Sequence, residues 1–111
     1  MTANKIKKKD LDKLFKQVDP YNIDKNVLYS IKYVINNEVE CSIRSGGTDK
    51  HLTARNVMCF KNVVECLENY EFTTAWWEFT DIISFSKDED YISVDEAVLL
   101  NIALEMILSK I

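Results

Sequence analysis

Few residues in this chain could do chemistry. The single histidine, His51, and the three cysteines, Cys41, Cys59 and Cys66, are the candidates for a nucleophile paired with an imidazole base. Hydrolytic systems of that kind need a nucleophile, a base and a group that orients the base. Cys41 or Cys59 with His51 would form a dyad only through the fold, because nothing local marks either thiol as reactive. Cys59 and Cys66 lie seven apart on one side of a helical pattern, with no histidine nearby to complete a zinc site and no C-x-x-C spacing. Carboxylates offer more: Glu78 with Asp81 at i, i+3, and the run Asp88, Glu89 and Asp90 beside Lys87. Metal nucleases cluster acids near a lysine in this way. A run in a polar loop, however, keeps ordinary proton affinities and has no water-excluding cavity. It also lacks the glycine and the terminal glutamate of a calcium loop. Ser45, Gly46, Gly47 and Thr48 form the one glycine turn, with neither G-x-G-x-x-G nor G-K-[ST] to cradle a phosphate. The expectation is a protein that is not an enzyme, with no catalytic residue, metal or cofactor.

The elements that would position these residues come from a chain of 111 residues, 47% hydrophobic with 2 Trp, 5 Tyr and 5 Phe. That length and composition predict a single domain, 1–111, with one ordinary core. Residues 7–18 place Leu11, Leu14, Phe15 and Val18 on the stripe of a short amphipathic helix stopped by Pro20. Residues 53–69 repeat Val57, Phe60, Val63, Val64 and Leu67 at helical spacing, with Thr53 as cap. Ser93 and Glu96 make a capping box ahead of a helix to Ile111, apolar at 12 of 18 positions from Val94. Asn101, Glu105 and Ser109 leave it only a narrow polar stripe. Such a helix must be central in the core or bury a side against another chain.

Two stretches carry conflicting periods. Val27, Tyr29, Ile31, Tyr33 and Ile35 alternate, as do Val39, Cys41 and Ile43. A three-residue loop at Asn36–Glu38 would bring the two apolar faces together, which predicts an antiparallel hairpin over 27–44. Leu28, Ile31, Val34 and Ile35 also stripe a helix. Residues 72–86 read as a helix with Phe72, Trp76, Phe79 and Ile83 inward and Trp77 and Asp81 on another side. Their aromatic density leaves a strand as the alternative. The fold class expected is α+β, mainly helical, with that hairpin and a largely buried C-terminal helix; the alternative is an all-α bundle.

Charge adds a direction. Residues 1–64 hold 12 Lys+Arg against 7 Asp+Glu, whereas residues 65–111 hold 2 against 11. An acidic face repels nucleic acid, and the basic half has no dense cluster with interleaved aromatics, so direct nucleic-acid binding is not expected. The stretch Lys5–Lys16 lacks the apolar core of an export signal. The apolar run after Val94 is interrupted well short of the roughly 20 residues a membrane span needs. The odd cysteine count suits reduced thiols. A cytoplasmic protein off the membrane follows. In size, acidity and AT-rich coding bias the chain resembles the small immunity proteins that neutralise bacterial nuclease toxins, a likeness of profile that rests on no particular residues. It implies a basic protein partner, met by carboxylates and aromatics of the stretch 71–91, namely Trp77, Glu78, Asp81, Asp88, Glu89, Asp90 and Tyr91. A phage-encoded inhibitor of a nucleic-acid-targeting defence would use the same electrostatics. A homo-oligomeric structural protein would instead dimerise through the C-terminal helix.

Overall fold

The computed structural model describes residues 6–44, 52–85 and 90–111, and of residues 38–44 the backbone only. Over these residues the chain forms five helices, α1 (Lys8–Phe15), α2 (Lys25–Arg44), α3 (Ala54–Glu68), α4 (Phe72–Ser84) and α5 (Val94–Lys110), and no sheet. One isolated antiparallel bridge joins Lys7 to Tyr91. There the Lys8 N–H donates to the Asp90 carbonyl at 3.0 Å and the Ile92 N–H to the Ile6 carbonyl at 3.0 Å.

The expected α+β hairpin over 27–44 is not formed; the stretch is the single helix α2, and the all-α alternative fits. The competing stripe decides it. Leu28, Ile31 and Ile35 are buried on one side, whereas Tyr29 and Tyr33, which the strand pattern would have turned inward with Ile31 and Ile35 while turning Leu28 outward, are 55% and 69% exposed. A lone hairpin is marginal in water without a third strand, and a helix satisfies its own backbone groups while offering a face to α5. Lys32 meets Glu105 at 3.1 Å. Ile23, just ahead of α2, and Ile111, just past α5, line a common hollow, so the two helices run antiparallel.

Helices α3 and α4 form an antiparallel pair with the most extensive contact in the fold. The turn between them is a Schellman closure: the Glu71 N–H reaches the Cys66 carbonyl at 2.8 Å and the Tyr70 N–H the Leu67 carbonyl at 3.2 Å. Tyr70 takes φ 58° there, a left-handed conformation usually filled by glycine. At the other end of the pair the Thr53 hydroxyl acts twice. It accepts from the Asn56 N–H at 3.1 Å, capping α3, and donates to the Phe85 carbonyl at 2.8 Å, closing the exit of α4.

The predicted capping box of α5 is present, with the Glu96 N–H on Ser93 Oγ at 3.1 Å and the Ser93 N–H on Glu96 Oε1 at 2.8 Å. Glu96 is 1% exposed, and its second oxygen accepts from Asn56 Nδ2 at 3.0 Å. The caps of α3 and α5 are thereby one buried polar connection. Around it α5 buries Ala97, Leu100, Ala103, Leu104 and Ile107. An aromatic trio of Phe15, Trp76 and Phe79, with ring centroids 5.0–5.8 Å apart, locks α1 onto α4.

Candidate functional site

Helix α4 turns Ala75, Trp76, Phe79, Ile82 and Ile83 into the core, so the spacing of its remaining residues determines what it shows outside. Trp77 is 52% exposed. Asp81, one turn on, is exposed on the same side, and Glu78 lies between that side and α3, half-buried. The neighbouring ridge of α3 contributes Arg55, Cys59, Asn62 and Cys66 at successive turns. Asn62 Nδ2 donates to Glu78 Oε2 at 3.2 Å, and the Arg55 guanidinium stacks over the Phe85 ring at 5.2 Å.

The seam between the two helices is electrostatically negative. Burial pushes the Cys59 thiol above its ordinary value, and Glu78 and Asp81 push it further, with Arg55 opposing. Burial likewise raises the Cys66 thiol, followed by Glu71, Glu78 and Glu65. Loss of water, then the charge of Glu78, raises the Asp81 carboxyl as well; Asp81 is largely exposed, which keeps that effect small. A thiol becomes a nucleophile by losing its proton at neutral pH, and both shifts run the other way. These cysteines behave as packing residues.

The structure brings together three of the seven residues expected at a contact: Trp77, Glu78 and Asp81. Asp90 and Tyr91 belong to the bridge with Lys7 and Lys8, beside the lysine-bearing start of α1. The basic segment is thus folded onto the acidic one at that place, and the charge division along the sequence is softened in space. Asp88 and Glu89 lie outside the described residues, as does His51; Cys41 lies among the residues described by backbone only. Among the described residues no group of three or more His, Cys, Asp or Glu could hold a metal ion. No described helix is long and apolar enough to cross a membrane.

The sequence reading missed the share that α3 takes in this face. Met58 is exposed, one turn from both Arg55 and Asn62. The signal was present: Met58 falls off the apolar stripe of α3, where an unbranched, adaptable side chain is free to meet a partner. The face is a strip of carboxylates flanked by Trp77 on one side and Met58 on the other.

No family model matches the chain. No curated protein and no solved structure matches it significantly either.

Proposed function

We propose that this protein is a stoichiometric inhibitor of a basic protein, an immunity protein that neutralises a bacterial nuclease-type toxin in the cytoplasm by covering the surface the toxin offers to nucleic acid. One observation carries the reading: α4, a core helix, leaves the large aromatic Trp77 52% exposed within a turn of Glu78 and Asp81. Exposed tryptophans anchor protein interfaces, and carboxylates around them set encounter rate and orientation. A nuclease holds phosphates with lysines and arginines, so a carboxylate strip is the complement of its binding surface. Thiols held protonated beside these acids support binding over catalysis.

The test is rescue of growth. The open reading frame directly upstream of this chain's gene is induced in bacteria with and without the protein, and growth and nucleic-acid integrity are followed. The reading expects toxicity relieved by the wild-type chain and not by the Glu78→Lys, Asp81→Lys double variant. Equal rescue by the two, or an upstream product without toxicity, counts against it.

A second reading has its own observation: Val98 and Ile102 lie exposed on the outer side of α5. A homodimer through that side would show a mass that rises with concentration in sedimentation equilibrium, abolished by Ile102→Glu.

A further inference from the structure

The segment 20–23 and the turn from α3 into α4 border an open hollow of about 440 Å³, with Ile111 also in its lining. Thr73 Oγ1 donates to the Pro20 carbonyl at 2.8 Å, which fixes the two segments against each other. The walls are aromatic and within reach of a partner. Tyr21 is 83% and Tyr70 70% exposed, and the half-buried Phe72 meets the Tyr70 ring edge to face at 6.2 Å. None of the lining residues is buried in the core. Tyr70 presents its ring from a left-handed conformation, φ 58°, at a cost that glycine would not incur.

The charge around the hollow has one sign. Residues 19–24 and 68–74 supply Asp19, Asp24, Glu68 and Glu71 and no lysine or arginine. Glu71, the one charged residue in the lining, makes no cap hydrogen bond at the start of α4 and no ion pair among the described residues. Its carboxylate offsets the positive end of that helix. A cation of the chain already rests against the wall: Lys110 Nζ, from the end of α5, lies over the Tyr70 ring at 5.6 Å.

We infer that this hollow takes an arginine side chain of the basic partner, its guanidinium stacked on the tyrosine rings and paired with Glu71. The inference rests on the proposed inhibitor function and extends its docking face, because Thr73 and Thr74 in the lining lie one turn from Trp77 on α4. It adds the kind of residue the partner must present. A planar guanidinium stacks on a ring and offers a fork of donors to a carboxylate, whereas an ammonium is a single point charge. Lys110 is the chain's own stand-in, displaced when the arginine arrives. A volume near the lower bound of ligand pockets suits a single side chain.

The probe is a capped peptide of sequence Gly-Arg-Gly, with Gly-Lys-Gly and Gly-Glu-Gly as controls, titrated into the uniformly ¹⁵N-labelled full chain. The arginine peptide is expected to shift the amides of Tyr21, Glu71, Thr74 and Ile111, and to bind roughly threefold or more tighter than the lysine peptide. Glu71→Gln and Tyr21→Ala, both at exposed positions, should each weaken it, and Lys110→Gln, which removes the stand-in, should strengthen it. Shifts elsewhere, no shifts, equal binding of the three peptides, or preference for the glutamate peptide at the start of α4 would overturn the inference. The rescue assay separates the two proposals. If Tyr21→Ala, Glu71→Gln rescues as the wild type does while Glu78→Lys, Asp81→Lys fails, the hollow is wrong and the face stands; if Gly-Arg-Gly occupies the hollow but Glu78→Lys, Asp81→Lys still rescues, the face is wrong and the hollow stands.

Discussion

At the scale of single residues, Asp81 is held in an environment that disfavours its charge, first by loss of water and then by Glu78. Its folded carboxyl binds a proton more tightly than the unfolded one. Over the window between the ordinary carboxylate value and the raised one, the native state holds more protons, and stability contributed by this residue falls as pH rises. Asp81→Asn is accordingly expected to be stabilising near neutrality, by no more than about 0.5 kcal/mol for so exposed a position. The gain should disappear below the ordinary aspartate range, where both forms are neutral. Thermal midpoints of the two proteins across pH check the sign; a destabilised Asn variant at neutral pH would mean that the charge is held by a favourable partner. A residue kept at a small cost to the fold is what a surface used for binding leads one to look for. That Trp77 and Asp81 share an outward side could be read from the sequence, because helical spacing alone assigns it. That Glu78 leans toward α3 and Asn62 could not, since it needs the second helix.

At the scale of elements, the tie between Asn56 and Glu96 joins two helix starts forty residues apart. Asn56 is fully buried, and its Oδ1 has no hydrogen-bond partner among the described residues. Replacing it by alanine strips Glu96 of a donor inside the core, a loss expected to cost about 1–3 kcal/mol. Ser93→Ala, which removes only the cap of α5, should cost about 1 kcal/mol. Because both act on Glu96, the double variant should depart from additivity in denaturant titrations; strict additivity would show that the two caps are independent. The sequence announced the capping box and not its partner: Asn56 lies on the buried stripe of α3 with Val63 and Leu67, but a polar residue on that stripe does not by itself name the group it bonds.

Helix α2 shows the converse. The period-two pattern of Val27, Tyr29, Ile31, Tyr33 and Ile35 is genuine, but two of its members are tyrosines, which tolerate water at one end and so give no vote on burial. What selects the helix is the apolar side of α5, which sequence periodicity within α2 does not contain. Proline at Asn36 distinguishes the two structures sharply. In the middle of a twenty-residue helix it should cost about 3 kcal/mol. At the first position of a hairpin loop it would cost little. Far-UV circular dichroism and urea unfolding of Asn36→Pro give the answer, and an unperturbed variant would contradict the helix.

At the scale of the whole molecule, the sequence divides into a basic part and an acidic part, and the fold keeps only some of that division. Lysines at the start of α1 come to rest beside Asp90 and Tyr91, while the carboxylates of Glu65, Glu71, Glu78 and Asp81 gather along the seam of α3 and α4. Long-range attraction to the cationic partner proposed above would thus be concentrated on one face, where salt screens it. The apolar part of the proposed contact, through Trp77, would be much less salt-sensitive. Binding should therefore weaken with ionic strength through the association rate and weaken with Trp77→Ala through the dissociation rate. The most direct measurement is the affinity of the purified upstream-encoded protein for this chain across a salt series, for the wild type and for Glu78→Lys, Asp81→Lys. A one-to-one complex that loosens steeply with salt, and at least 100-fold on the double reversal at low salt, is the predicted result; an affinity indifferent to both would contradict the account.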